Sequence, residues 1–474
     1  MPLPKAWSNR KAGRKRMIKK YFWLWILLVA GLVFGGMMFS KSVFDPAALV
    51  KNSELGGRRF SVPVTEVVSP QYGIKAYLLE DRSNPIISVS FIFAHAGLGA
   101  EPEGQAGISK VSAAMISEAA GGMNSQQFKE KLEDYAISIG YSADKDDFSG
   151  QLLTIKEFAP VAFEMLRQTL FEAQLDSDDL KRIKRQMLAM LKRQNESPEN
   201  KLSLIANREI FGNHPYGRNP LGRKEDIQKI TAQDIRGFVA ANLGLGNLIV
   251  GIAGDLNPQE AGRMLDQIFG ALPEQGAADR VAEIVPDFGL ETVNVNQELA
   301  QSVSFIAAKG TRRTAEDFYP LYIANYILGG SGLNSRLNLS AREKEGLTYG
   351  IYTGLSIPDK SALIVGGFSS MPQNFARVAE IFSREWKKMG QEGVSASELK
   401  EAQDYLIASY NLRFADITAI SDMLVYMQKT GLGIDFLQKR NDYVAAVTAE
   451  QVNQAAARYF TPENLRMINL GKFN

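Results

Sequence analysis

The sequence predicts an α+β fold made of two copies of one unit, and three features carry that prediction. The first is internal similarity. The pentapeptide S-V-S-F-I at 88–92 recurs letter for letter at 302–306, an offset of 214. L-D-S-D-D-L-K-R-I-K from Leu175 resembles V-S-A-S-E-L-K-E-A-Q from Val394 at an offset of 219. T-A-Q-D-I from Thr231 resembles T-A-E-Q-V from Thr448, and N-L-I-V-G-I-A-G-D-L-N at 247–257 resembles N-L-R-M-I-N-L-G-K-F-N at 464–474, both at 217. Four matches in order at nearly constant spacing indicate a duplicated unit. The second feature is alternation within each copy. S-V-S-F-I-F-A from Ser88 and A-L-I-V-G-G-F from Ala362 are β-branched and aromatic runs suited to strands. S-Q-Q-F-K-E-K-L-E-D-Y-A from Ser125 and S-A-S-E-L-K-E-A-Q-D-Y-L from Ser395 have helical periodicity, each opening on a serine suited to N-capping. The third feature is the polar, Pro/Gly-containing stretch 272–291, which separates the copies as a linker. The predicted units are therefore 61–271 and 292–474.

Upstream of them lies a segment of different chemistry. Residues 1–20 carry eight Lys or Arg and no acid. The remainder, with 46 basic and 52 acidic residues, is mildly acidic at about −6. A basic tail on an acidic body argues against nucleic-acid binding, which needs the charge on a folded face. Tyr21 to Phe39 contains no charged residue, and nineteen helical residues span roughly the ~30 Å hydrocarbon layer. Trp23 and Trp25 suit an interfacial position, and the run is longer than a secretory h-region with no clear A-x-A site behind it. The expectation is a single transmembrane signal anchor at 21–39 with the tail 1–20 in the cytoplasm, a spacer at 40–60 and the bulk exported, in a bacterium to the periplasm. The absence of cysteine fits an oxidising compartment and removes any thiolate metal site. Histidine is nearly absent too: His95 and His214 are the only two, and both are read as structural.

Four motifs then identify a resemblance: G-I-S-K-V-S-A-A-M (107–115), H-P-Y-G-R-N-P-L-G (214–222), L-G-G-S-G-L-N-S-R-L (328–337) and R-E-K-E-G-L-T-Y (342–349). Together they resemble the pitrilysin-type inverzincin peptidases, the family of insulin-degrading enzyme and mitochondrial processing peptidase, over roughly residues 61–474. The resemblance implies two homologous α/β sandwich domains forming one half of a clamshell, two halves of which enclose a peptide-binding chamber. In the inverted zinc motif H-x-x-E-H, two histidines on one helix face bind zinc and the glutamate acts as base. Those places hold Lys110, Ala113 and Ala114, and counting back from Pro198 puts Ala189 and Met190 at the two glutamates of the stretch that carries the family's third zinc ligand. No metal is expected in this chain.

The resemblance also implies a role. In family pairs with one zinc-free subunit, an arginine and a tyrosine seven residues apart reach the catalytic centre of the zinc-bearing subunit and hold the substrate carbonyl, and Arg342 and Tyr349 have that spacing. Gly329, Gly330 and Gly332 would let backbone amides approach a bound peptide; with no G-K-[ST] following, the segment is not a nucleotide loop. The expected function is a membrane-anchored, catalytically inactive subunit of a heteromeric zinc metallopeptidase. Its partners would be a zinc-bearing homologue, peptide or unfolded-protein substrate paired with an edge strand, and the membrane through 21–39. A non-proteolytic scaffold or peptide-binding protein of a membrane complex is the alternative from a different class.

Overall fold

The computed structural model describes residues 63–286, 288 and 292–473. The tail, the apolar stretch 21–39 and the spacer 40–60 lie outside the described residues, and among the described residues no helix is long and apolar enough to cross a membrane. Residues 58–474 form one unit.

The first copy runs β1 (Val64–Val68), β2 (Lys75–Glu80), β3 (Ile86–Phe93), α1 (Ile108–Ile116), α2 (Ser125–Asp134), β4 (Ser138–Ala143) and β5 (Phe148–Ile155). It continues through α3 (Ala159–Phe171), α4 (Ser177–Glu196), α5 (Pro198–Phe211), α6 (Lys224–Lys229), α7 (Ala232–Asn242), β6 (Leu248–Gly254) and α8 (Pro258–Phe269). The second runs β7 (Val293–Asn296), β8 (Ser302–Lys309), α9 (Phe318–Asn325), β9 (Thr348–Ser356) and β10 (Leu363–Ser370). After these come α10 (Pro372–Glu392), α11 (Ala396–Ala408), α12 (Ile417–Lys429), α13 (Phe436–Ala445), α14 (Ala449–Tyr459) and β11 (Arg466–Gly471).

The duplication is visible in the sheets. One is ordered β1-β2-β6-β3-β5-β4, the other β7-β11-β8-β10-β9. In each, the strand bearing S-V-S-F-I lies antiparallel between the strand of the terminal repeat and the next hairpin strand, and among the described residues the sole parallel pair is the equivalent one, β2 with β6 and β7 with β11. β3 is buried along nearly its whole length, as a central strand of a sheet covered on both faces must be. β4 and β9, last in their sheets, alternate more openly. Thr231 and Thr448 each cap a helix, α7 and α14, through a capping box. Ser395 does so for α11, but at α2 the cap is Asn124 with Gln127, and Ser125 is the first helical residue. Asn124 is itself a strong capping residue, so the boundary moves by one.

Each sheet packs its own helices on one face and a helix from the other copy on the second. α12 lies on β6, β3 and β2, with Ser421 Oγ within 2.8 Å and 2.7 Å of the Ser88 and Ser90 hydroxyls. Gly251 permits that approach, since a Cβ there would stand 2.3 Å from the Ser421 carbonyl oxygen. Reciprocally, α5 lies on β8 and β11, joining Leu202, Ile210 and Phe211 to Val303, Ile468 and Leu470 in one buried cluster. Side chains of this size contribute about 1.5–3 kcal/mol each when buried. α5 and α12 begin at 198 and 417, an offset of 219, so equivalent helices are exchanged between the copies. The stretch after Leu272 has no helix or strand up to 286, yet it is tied down: Leu245 and Gly246 N–H donate to Pro273 and Glu274 carbonyls, and Ile284 N–H donates to Lys360.

Candidate functional site

Helix α1 keeps its frame without ligands. Its N-terminus is held by Glu101, which is buried and accepts from Gly107 N–H (3.0 Å), Ser109 N–H (3.2 Å) and Ser109 Oγ (2.6 Å). An anion at a helix N-terminus answers unsatisfied donors and the dipole together. Burial pushes the Glu101 carboxyl up, against the lowering effect of those bonds. Lys110 occupies the first histidine place, and its ammonium donates to the Ala143 carbonyl (2.7 Å) at the end of β4. Burial lowers its pKa, opposed by the carboxylates of Asp144 and Glu101. Ala113 is buried, and Ala114 packs half-buried against the same core. Ala189 and Met190 lie on the exposed side of α4, whose buried side chains are Leu180, Ile183, Met187 and Leu191. An ammonium and two methyl groups do not fit a divalent cation, so no chemistry is routed through zinc in this chain. Among the described residues, no three His, Cys, Asp or Glu side chains are gathered so as to hold a metal.

The Arg342/Tyr349 pair sits at the entry to β9. Two π-helical turns, Tyr326–Gly330 and Leu339–Glu343, flank that strand, and Arg342 belongs to the second. Such turns are rare and often occur at functional sites. Its guanidinium is partly exposed and pairs loosely with Glu343 at 3.8 Å. Gly346 and Leu347 N–H bond back to the Arg342 and Ala341 carbonyls, and Arg377 grips Glu345 through two bonds of 2.9 and 2.8 Å, fixing the connection. In the β9–β10 register Ser369 faces Gly350 and Ser370 faces Thr348, so Tyr349 is the extra residue of a β-bulge. Bulges re-aim side chains at sheet edges; Tyr349 is 78% exposed.

The glycines of the preceding motif divide by role. A Cβ on Gly329 would meet Thr353 Oγ1 at 2.4 Å and its N at 2.5 Å, so this glycine lets the first π-turn pack on β9 and is not available to a peptide. Gly332 has φ +62° and makes a turn; Gly330 is exposed, with only ordinary contacts at its Cβ position.

The histidines are structural in setting. His214 Nδ1 accepts from Tyr216 N–H (3.2 Å) while Nε2 meets the Ala282 carbonyl (3.0 Å), and His95 lies 3.8 Å from Asp279. Sequence reasoning missed Tyr216, two residues after His214, and what it joins. Tyr216 is fully buried; its hydroxyl donates to Asp146 and accepts from Lys360 N–H (2.9 Å), while Asp146 also accepts from Asp359 N–H (3.0 Å). Beside it Lys429, the last residue of α12, bridges Asp147 and Asp359, the latter at 2.9 Å. Burial opposes the lysine charge, but the two carboxylates outweigh it and hold the ammonium above the ordinary range. Asp147 is pushed up to about 6 by burial, with Lys429 pulling the other way. The runs D-K-D-D at 144–147 and P-D-K at 358–360 were the available signal.

Comparison with known proteins agrees with the motifs. Residues 229–406 match the Peptidase M16 inactive domain; the match begins after α1, so it does not itself bear on the ligand positions. The non-peptidase homolog YmxG of Helicobacter pylori is 26% identical over 379 residues, 78% of this chain and 86% of that protein. An uncharacterized zinc protease YmxG of Bacillus subtilis is 21% identical over 83% of this chain and 95% of its own length. In structure, the chain is similar to a peptidase M16 inactive domain from Pseudomonas fluorescens, with TM-score 0.81, 24% identity and coverage of 87% and 98%. It is also similar to the periplasmic protease PqqL from Escherichia coli, with TM-score 0.73, 14% identity and coverage of 87% of this chain but 46% of that one.

Proposed function

We propose that this chain, which matches the M16 peptidase family over residues 229–406 and lacks its zinc ligands, is the membrane-anchored, non-catalytic subunit of a heteromeric zinc metallopeptidase. It forms half of a peptide-binding chamber whose zinc is carried by a homologous partner. The observation that carries the reading is the pairing of lost ligand positions with a built donor pair. Lys110, Ala113 and Ala114 cannot hold a metal, while Tyr349 stands out on a bulge of an edge strand just after the π-turn bearing Arg342. A guanidinium and a phenol both donate hydrogen bonds, and donors aimed at the oxyanion of a peptide carbonyl contribute about 10²–10³ in rate each. The strands β4 and β9 end their sheets and so offer backbone groups to an extended peptide. That PqqL accommodates this fold in less than half its length supports a requirement for a second half. Residues 21–39 would anchor the subunit in a bacterial inner membrane with its bulk in the periplasm.

The test is to purify the intact chain from solubilised membranes of its own organism and identify what accompanies it in near-equal amount. A homologue bearing H-x-x-E-H is expected. In the assembled enzyme, Arg342→Ala and Tyr349→Phe are each expected to lower kcat at least tenfold; unchanged activity in both overturns the role of the pair. The relative named a non-peptidase homolog favours a second reading, a peptide-binding scaffold without proteolysis. Recovery of other membrane proteins and no zinc-bearing homologue would select it.

A further inference from the structure

A cleft of about 530 Å³ lies between the β4–β5 hairpin and α12, lined by Asp144, Asp147, Ser142, Gln151, Asp422 and Tyr426 among others. Asp147 is 5% exposed, and its Oδ1 has no hydrogen-bond partner among the described residues. Its other oxygen is taken by Lys429, which is itself shared with Asp359. A buried carboxylate oxygen left without a donor costs about 1–3 kcal/mol, more when charged, so a donor reaching it from the cleft would relieve that cost.

The charge decides which donor. Asp144, Asp147 and Asp422 face the space against one lysine already engaged by two carboxylates, which favours a cation over a neutral group. The carboxylates are not gathered to hold a metal ion, and the volume suits an organic group. The ring of Tyr426, 40% exposed, offers a face to a guanidinium or ammonium. Ser142 belongs to β4, which among the described residues has no strand on its outer side. A peptide paired there would send alternate side chains to the face that α12 covers.

We propose that this cleft takes the guanidinium or ammonium group of a basic side chain on an extended peptide paired along β4. The peptide part rests on the chamber reading above; the cation-binding cleft does not. The test measures binding of two nine-residue Thr/Val/Ala peptides to the full chain, one with a central arginine and one with citrulline, which is isosteric but neutral. The small probe N-acetyl-argininamide is followed in parallel by saturation-transfer NMR. The arginine peptide is expected to bind at least tenfold more tightly than the citrulline peptide, a preference that Asp147→Asn reduces to within about twofold. Asp422→Asn, an exposed position whose loss leaves the fold intact, is expected to weaken arginine-peptide binding a few-fold while leaving the citrulline peptide unchanged. Equal binding of the two peptides overturns the cation-binding cleft and spares the peptide reading. Binding of the amide but of neither peptide keeps the cleft and overturns peptide pairing, and no binding of any probe overturns both.

Discussion

Replacing Lys429 by methionine keeps most of the side-chain volume and removes the one cation between Asp147 and Asp359. The lysine side chain is 18% exposed, and those of the aspartates 7% and 23%. Breaking a buried pair at one partner costs about 3–5 kcal/mol because the other charge stays buried. The loss must depend on pH. The folded pKa of Asp147, about 6, is already above its ordinary 3.8. The folded state therefore holds a proton that the unfolded chain has lost, so stability falls as pH rises through roughly 4 to 6. Without Lys429 that pKa climbs further and the fall extends to higher pH. Urea unfolding followed by circular dichroism is expected to show Lys429→Met destabilised by about 3–5 kcal/mol at pH 8 and by only about 1–2 at pH 5, where protonation relieves the stranded carboxylate. Adding Asp147→Asn should recover most of the loss at pH 8. A cost below about 1 kcal/mol that is equal at both pH values would show that water screens this cluster and would refute the argument from burial.

Three further outcomes are expected. Glu398, paired with Arg336 at 2.8 and 2.9 Å and capping α11, is brought down to about 2 by those bonds against the opposing effect of burial. Its side chain is 34% exposed, so screening limits Glu398→Gln to about 1–2 kcal/mol at pH 7; because the folded pKa is depressed, the cost should vanish as pH falls from about 4.5 to 2, which acid-titrated unfolding measures. Gly329→Ala should force the first π-turn away from Thr353, costing about 1–3 kcal/mol in thermal unfolding and lowering activity of the assembled enzyme; a variant as stable as wild type would contradict the packing described. Zinc titration of the isolated chain should show no stoichiometric binding, and bound zinc with chelator-sensitive peptide cleavage would overturn the reading of α1.

What could be read from the sequence was what repeats or is local. The S-V-S-F-I pair and the Thr231 and Thr448 caps depend on short stretches, and they fall at equivalent places in the two sheets. The Arg342/Tyr349 spacing was legible, but the bulge at Tyr349 was not, since it arises only when β9 meets β10. D-K-D-D at 144–147 is only a short charged run in the sequence, yet its last two carboxylates are buried or bonded by groups more than 60 residues away. Gly329 was assigned to ligand approach because sequence shows a missing Cβ without showing what fills the space; Thr353 does.

The exchanged helices set a constraint on how the chain reaches this state. β3 and β6 receive α12 from residues 417–429, more than 160 positions downstream of either strand. During synthesis from the N-terminus, the face carrying Ser88, Ser90 and Gly251 stays uncovered until nearly the whole chain has emerged, and α5 must wait likewise for β8 and β11. Contacts of such long sequence separation require closure of large loops before they return any stabilisation, so folding is slow and its intermediates expose sheet surface. Cutting the chain between the copies would therefore leave two fragments each with a bare sheet, competent to associate with one another and prone to aggregate apart.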